Sequence, residues 1–182
     1  MPNTPRLTGT RIILRQWRED DLAPFAALNA DPVVMEYFPA TLSRTESDAL
    51  VERIRALFAQ FGYGFWALEI PGVTPFAGMV GITHVGFDAP FTPAMEIGWR
   101  LARAYWGKGY ATEAGQLALA YGFEDLQLPE IIAFTAACNL RSQAVMQRLG
   151  MTNDVRADFD HPQLAVGHRL RRHVLYRKKS AQ

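Results

Sequence analysis

The chain has a single cysteine, Cys138, among its 182 residues. That excludes an intramolecular disulfide and a cysteine-based zinc site, and it fits a reducing compartment, so a cytoplasmic location is expected. An excess of one charge is also missing: 19 Lys and Arg stand against 18 Asp and Glu, for a net charge of +1. No field of one sign is available to gather nucleic acid or to coat a membrane surface. No run approaches the roughly 18 apolar residues that a spanning helix needs. The opening Met1-Pro2-Asn3-Thr4-Pro5-Arg6 has no apolar segment behind it, so no targeting leader is expected. Histidine is scarce, and His161, His168 and His173 follow one another at intervals of seven and five, which fits no compact metal motif. No metal is expected, and these histidines suit the shaping of a pocket better. Repeats, linkers and low-complexity stretches are absent. What is present is a 49% hydrophobic chain, enough for one domain over 1–182 with a core that needs no staple.

The order of elements begins with a strand over Arg11 to Arg15 and a helix opened by Glu19-Asp20-Asp21, with Leu22, Phe25, Ala26 and Leu28 recurring near helical spacing. Asp31-Pro32 predicts a short second helix, Val33 to Tyr37. Ser43-Arg44-Thr45-Glu46 is a capping box for a longer helix that stops at Gly62 or Gly64. Phe65 to Ile70 and Phe76 to Thr83 read as a hairpin about Pro71-Gly72. A third strand, Ala94 to Leu101, places Met95, Ile97, Trp99 and Leu101 on one face and Glu96, Gly98 and Arg100 on the other. Ile131 to Ala136 is apolar on both faces and therefore central. Asn139 caps a further helix with Leu140, Ala144, Val145 and Leu149 inward, stopped by Gly150. Met151 onward and His173 to Arg177 are two closing strands, with the basic tail Arg177-Lys178-Lys179 read as a solvated strand end.

Between the third strand and the helix that begins near Ala111 stand Gly107 and Gly109, with Lys108 between them. Such glycines let main-chain amides close on a phosphate, the following helix aims its free N–H groups at the same spot, and Lys108 adds a cation. A nucleotide-triphosphate loop is excluded by spacing, because Gly107-Lys108 is followed by Gly109 and not by Ser or Thr.

Glu96-Ile97-Gly98-Trp99, the run Tyr105-Trp106-Gly107-Lys108-Gly109-Tyr110-Ala111-Thr112-Glu113-Ala114, and Asn139-Leu140-Arg141-Ser142 closing in Arg148-Leu149-Gly150-Met151 together resemble the GNAT acetyltransferases. Within them the chain is most similar to the RimJ/RimL-like branch that acetylates ribosomal-protein N-termini. The resemblance covers nearly the whole chain. It implies an α+β (α/β) fold with a central mixed, mostly antiparallel sheet, helices on both faces, and a splayed parallel strand pair that holds acetyl-CoA. It further implies that the main chain of Trp99, Arg100 and Leu101 pairs with the pantetheine arm, and that the amides of Trp106, Gly107, Lys108, Gly109, Tyr110 and Ala111 hold the pyrophosphate. Arg103 and Thr112 flank that loop. The family usually has Gln or Arg three residues before the first glycine, where this chain has Ala104 beside Arg103.

Amine acetylation needs a base for the ammonium, donors for the oxyanion and a proton for the leaving thiolate. Glu96, alone on its strand face beside Gly98, is the candidate base, acting through a water; a solvated edge acid or an ion-pair partner for Arg100 are its other readings. The resemblance makes Asn139 a pantetheine ligand and Ser142 the proton donor, although as residues alone they read as an N-cap and a first-turn position. Arg148 reads equally as a contact to the CoA phosphates or as a solvated cation in a last turn. Cys138 reads as a small buried residue and not a nucleophile, since direct transfer needs no acyl-enzyme. The implied activity is that of an acyltransferase, an acetyl-CoA-dependent N-acetyltransferase acting on a primary amine. The other reading is a non-catalytic acyl-CoA-binding or regulatory protein on the same fold. A peptide N-terminus, an antibiotic amine, a polyamine and a free amino acid or other small metabolite are all open as acceptors. Tyr37 to Leu42 and Asp158 to Arg172 are the segments expected to select among them. No nucleic acid or membrane partner is expected, and monomer and homodimer are both open.

Overall fold

Period-two alternation through the middle of the chain builds one sheet, and helical spacing on either side supplies its covers. The computed structural model describes residues 5–181, so residues 1–4, read above for targeting, lie outside the described residues. The strands are β1 (Leu7–Thr8), β2 (Ile13–Arg15), β3 (Phe65–Ile70), β4 (Thr74–His84), β5 (Met95–Leu101), β6 (Glu130–Ala136), β7 (Thr152–Asn153), β8 (Phe159–Asp160) and β9 (Arg172–Lys179). The helices are α1 (Leu22–Ala30), α2 (Arg44–Phe61), α3 (Tyr110–Ala120) and α4 (Leu140–Arg148). Strand order is β1-β2-β3-β4-β5-β6-β9-β7, with β8 also on β9, and every neighbouring pair is antiparallel except β5 and β6.

The local signals hold where they are strong. Ser43 Oγ accepts from the Glu46 amide while Glu46 returns a carboxylate to the Ser43 N–H at 2.8 Å, and Gly62 ends α2 at φ 79. The helix predicted over residues 33–37 is not formed. Asp31 instead caps the Val33 amide at 2.8 Å, and single turns carry the chain to Pro39; five residues gain too few hydrogen bonds to offset helix nucleation. In α4 the buried position is Met146, with Leu149 buried just after the helix; Ala144 and Val145 are half-buried, and Leu140, expected inward, is 71% exposed at the first position.

The faces of the sheet follow from register. Phe65, Gly81 and Gly98 stand in one row across β3, β4 and β5, so Glu96, Gly98 and Arg100 share the face covered by α1. Trp66, Val80 and Trp99 form the next row and point to the opposite face, where Tyr121, directly after α3, meets Trp66 edge-on at 5.5 Å. Leu149, directly after α4, packs closely on Gly115 of α3. Trp66, Phe25, Phe58 and Ile54 are fully buried between these layers. No helix among the described residues is long and apolar enough to cross a membrane.

A buried ion network pins the first strands. Arg15, 4% exposed, forks onto Asp21 at 2.8 and 2.9 Å, binds Glu69 of β3 at 2.7 Å, and donates to the Pro75 carbonyl of β4. Removing Arg15 leaves the buried Asp21 carboxylate without its counter-ion. Arg15→Met is expected to lower stability by about 3–5 kcal/mol in urea unfolding. Adding Asp21→Leu to that variant should cost less than the two single losses combined, which a double-mutant cycle reads directly.

Candidate active site

β5 and β6 are held as parallel neighbours by one register pair, Glu96 with Ile132, and separate beyond it. The Ala102 N–H donates to Ala77 of β4, so alternation turns the peptide groups of Trp99 and Leu101 away from β4 and into the opening. There the Leu101 carbonyl accepts the Trp106 indole N–H at 2.8 Å. Peptide groups along such a gap need partners that the sheet does not supply.

At the wide end lies the glycine loop. Gly107 and Gly109 hold φ of 71 and 81, the left-handed region that side chains disfavour. The Trp106 N–H, expected among the phosphate donors, is already bonded to the Arg103 carbonyl at 3.1 Å, and the α3 ladder begins with the Glu113 N–H on Gly109 at 3.0 Å. The amides of residues 107–112 donate to no acceptor among the described residues, so the row of free donors runs from Gly107 to Thr112. Arg103, Lys108 and Arg148 are exposed cations. Arg11 fixes the loop from below, donating to the Lys108 carbonyl at 2.9 Å and to Glu113 through Nε at 2.8 Å and its own amide at 2.7 Å.

At the closed end, neither ordinary role for Glu96 is met. β5 is internal to the sheet, and among the described residues Arg100 pairs with neutral Asn29, not with Glu96. Burial without a partner pushes the Glu96 carboxyl up to about 8. The space beside Gly98 is taken by the Phe65 ring, whose edge would lie 3.1 Å from an added Cβ, so a flat apolar floor separates Glu96 from Arg100. Beyond β6, Asn139 is the N-cap of α4: its Oδ1 accepts the Ser142 amide at 3.2 Å, and its Nδ2 donates to Thr135 Oγ1 at 2.9 Å and Ser142 Oγ at 3.0 Å. The bond from Nδ2 fills a lone pair of the Ser142 hydroxyl and leaves its O–H free to donate. Cys138, expected buried, is exposed, because it sits in the turn between β6 and α4 where nothing packs over it.

Of the two segments expected to select an acceptor, Asp158 to Arg172 reaches Glu36, the residue just before Tyr37 to Leu42. Arg169 donates to the Glu36 carbonyl at 2.5 Å, and the Glu36 carboxylate binds Arg141 at 2.6 Å. Arg141 lies 4.7 Å from the Trp106 ring centre, so the α1–α2 loop ties the β8–β9 loop to the glycine loop. Phe134 of β6 is two residues past Ile132 and therefore on the Glu96 face. Around it gather Phe87 at 5.5 Å, Phe159 at 5.7 Å and His173 at 6.1 Å, with His161 at 4.9 Å from His173. Burial pushes both histidines below their ordinary range. His168 instead accepts the Leu170 amide at 3.1 Å within its own turn.

A family model for the acetyltransferase (GNAT) domain matches residues 11–152. The chain belongs to the GNAT acetyltransferase family. The uncharacterized N-acetyltransferase YnaD of Bacillus subtilis (strain 168) is 32% identical over 149 residues, 81% of this chain and 83% of that protein. The crystal structure of an acetyltransferase from Agrobacterium tumefaciens str. C58 superposes with a TM-score of 0.77 at 25% identity, covering 97% of this chain and 95% of that one. Mycobacterium smegmatis RimJ in complex with CoA-disulfide superposes at 0.76 with 24% identity over 97% and 88% of the two chains.

In this GNAT chain three parts of the site carry no local sequence signal: the Arg11 brace, the Arg141–Glu36 tie and the aromatic group about Phe134. Each joins residues far apart in sequence, and only a charge pairing or a strand register brings them together.

The raised Glu96 sets a testable pH dependence. The folded state holds the Glu96 proton up to about 8, while the unfolded chain releases it near 4.5. Stability is therefore lost as pH rises between those values and levels off above them. Glu96→Gln cannot ionise, so its melting temperature should match the parent near pH 4 and exceed it by roughly 3 °C or more at pH 9.

Proposed function

We propose that this chain is an acetyl-CoA-dependent N-acetyltransferase that passes the acetyl group directly to a primary amine. The observation that carries the reading is the open row of amides at residues 107–112, set at the wide end of a strand gap whose closed end holds a lone buried carboxylate. Free donors at a helix start suit a diphosphate, and the outward peptide groups of Trp99 and Leu101 suit the amides of a pantetheine arm, so the residues present fit acetyl-CoA. Arg103, Lys108 and Arg148 add cations about the phosphates, and Asn139 closes on the arm from α4. Once bound, acetyl-CoA supplies an activated thioester.

Glu96 takes the ammonium proton through a water, which frees the nitrogen lone pair to attack the thioester carbon. The C–N bond forms, the C–S bond breaks, and Ser142 gives its hydroxyl proton to the departing sulfur and recovers one from solvent. Because the free enzyme protonates Glu96 up to about 8, the basic form grows through mildly alkaline pH.

Release of free thiol from acetyl-CoA, followed against a panel of amines, tests the reading. The parent's kcat/KM should climb to a plateau with an apparent pKa about 8. Glu96→Gln should lose about 100-fold or more in kcat, while calorimetry shows acetyl-CoA affinity within about twofold of the parent. An unaltered rate removes Glu96 from the chemistry. Tight acetyl-CoA binding with no thiol release on any amine favours a binding protein, and tight ATP binding without CoA binding overturns the family function for this chain.

A further inference from the structure

The chain holds two enclosed arginines that differ in one respect. Arg15 has Asp21 and Glu69 as counter-ions. Arg100 has none among the described residues: its Nη1 donates to the neutral Asn29 Oδ1 at 2.6 Å, and its Nε is the one buried side-chain polar atom among those residues without a partner. Its Nη2 makes no hydrogen bond to the described residues either. Asn29 is fully buried and held by Ser47 Oγ at 2.9 Å, so it is fixed and cannot supply charge. The Phe38 ring lies 4.0 Å from the guanidinium carbon and keeps the plane in place. Burial lowers the guanidinium to about 10, which leaves it cationic at neutral pH. A buried cation without a counter-ion is costly, and guanidinium offers a planar fork matched to a carboxylate.

Position makes this a substrate feature. Arg100 and Glu96 share one face of β5, with Gly98 between them and the Phe65 ring as floor. Four residues of strand put their Cα atoms about 13 Å apart, and both side chains stand on the face that α1 covers. We infer that Arg100 receives a carboxylate of the acceptor, so that the amine acetylated belongs to a free amino acid or a short peptide acid. The amine lies at the Glu96 end, the carboxylate at the Arg100 end, and the body between them rests on Phe65. An uncompensated cation in the cleft repels a polyamine and gains nothing from an amine that carries no acid. The inference rests on the acetyltransferase reading and narrows its acceptor.

Matched pairs test it: phenylalanine against phenylalaninamide and alanylalanine against its amide, with rates expressed per free-base amine. The acids should exceed the amides by about tenfold or more in kcat/KM, the worth of one charge-assisted pair. Arg100→Met should erase that ratio, Arg100→Lys should restore part of it, and acetyl-CoA affinity and melting temperature should stay near the parent's in the Lys variant. A second arm needs no turnover: calorimetry of N-acetylphenylalanine should show tighter binding than N-acetylphenylalaninamide, and the difference should vanish in Arg100→Met or, if that variant does not fold, shrink in Arg100→Lys. Equal handling of acids and amides overturns the inference. So does an Arg100 variant that weakens acids and amides alike, or that lowers acetyl-CoA affinity instead. If no amine turns over while acetyl-CoA binds, the acetyltransferase reading fails, and the binding arm alone decides the role of Arg100.

Discussion

One constraint organises the molecule: two parallel strands that touch at Glu96 and Ile132 and then part. Each peptide unit past that point on the open side of β5 must find a partner or stay in water. The flanking strands cannot close the gap, because β4 holds the far edge of β5 and β9 holds β6 along its length. The opening is therefore a fixed product of sheet topology. The chain spends its most specialised residues around it: the glycine loop where β5 ends, the Asn139 cap where β6 ends, and Glu96 at the vertex.

The electrostatics of the cleft follow from the same geometry. Glu96 is enclosed without a partner and is pushed toward its neutral form, which is the condition of a base that works at mildly alkaline pH. Arg100 is enclosed on the same face without a counter-ion among the described residues. Elsewhere the chain compensates its buried charge, as Arg15 with Asp21 and Glu69 shows. Among the described residues the uncompensated Glu96 and Arg100 thus share one face of β5.

Local chemistry made much of this legible. The Ser43–Glu46 capping box, the hairpin about Pro71-Gly72, the Gly107–Gly109 loop and the alternation that isolates Glu96 are short-range patterns whose physics is complete within a few residues. The resemblance of the glycine loop and the Asn139 segment to one family added the strand splay, which no local pattern encodes. What was not legible depends on distance in sequence. Arg11 reaches Glu113 across the sheet, the Phe65 ring fills the room beside Gly98, and the aromatic group about Phe134 draws on the β4–β5 loop, β6 and β8. The errors have the same origin. Asp31-Pro32 is a start signal followed by too few residues for a helix, and Leu140 and Cys138, apolar enough to bury, fall at a first helix position and in a turn with nothing above them.

The central claim is that the gap beyond Glu96 and the amides that follow it form one receptor for acetyl-CoA. Amide hydrogen exchange with and without acetyl-CoA measures this at the atoms concerned. The amides of Trp99, Leu101 and residues 107–112 should slow together on addition of acetyl-CoA, while those of β1 and β2 stay unchanged. Exchange that is unaffected at these amides, or slowed equally by ATP, would contradict the account.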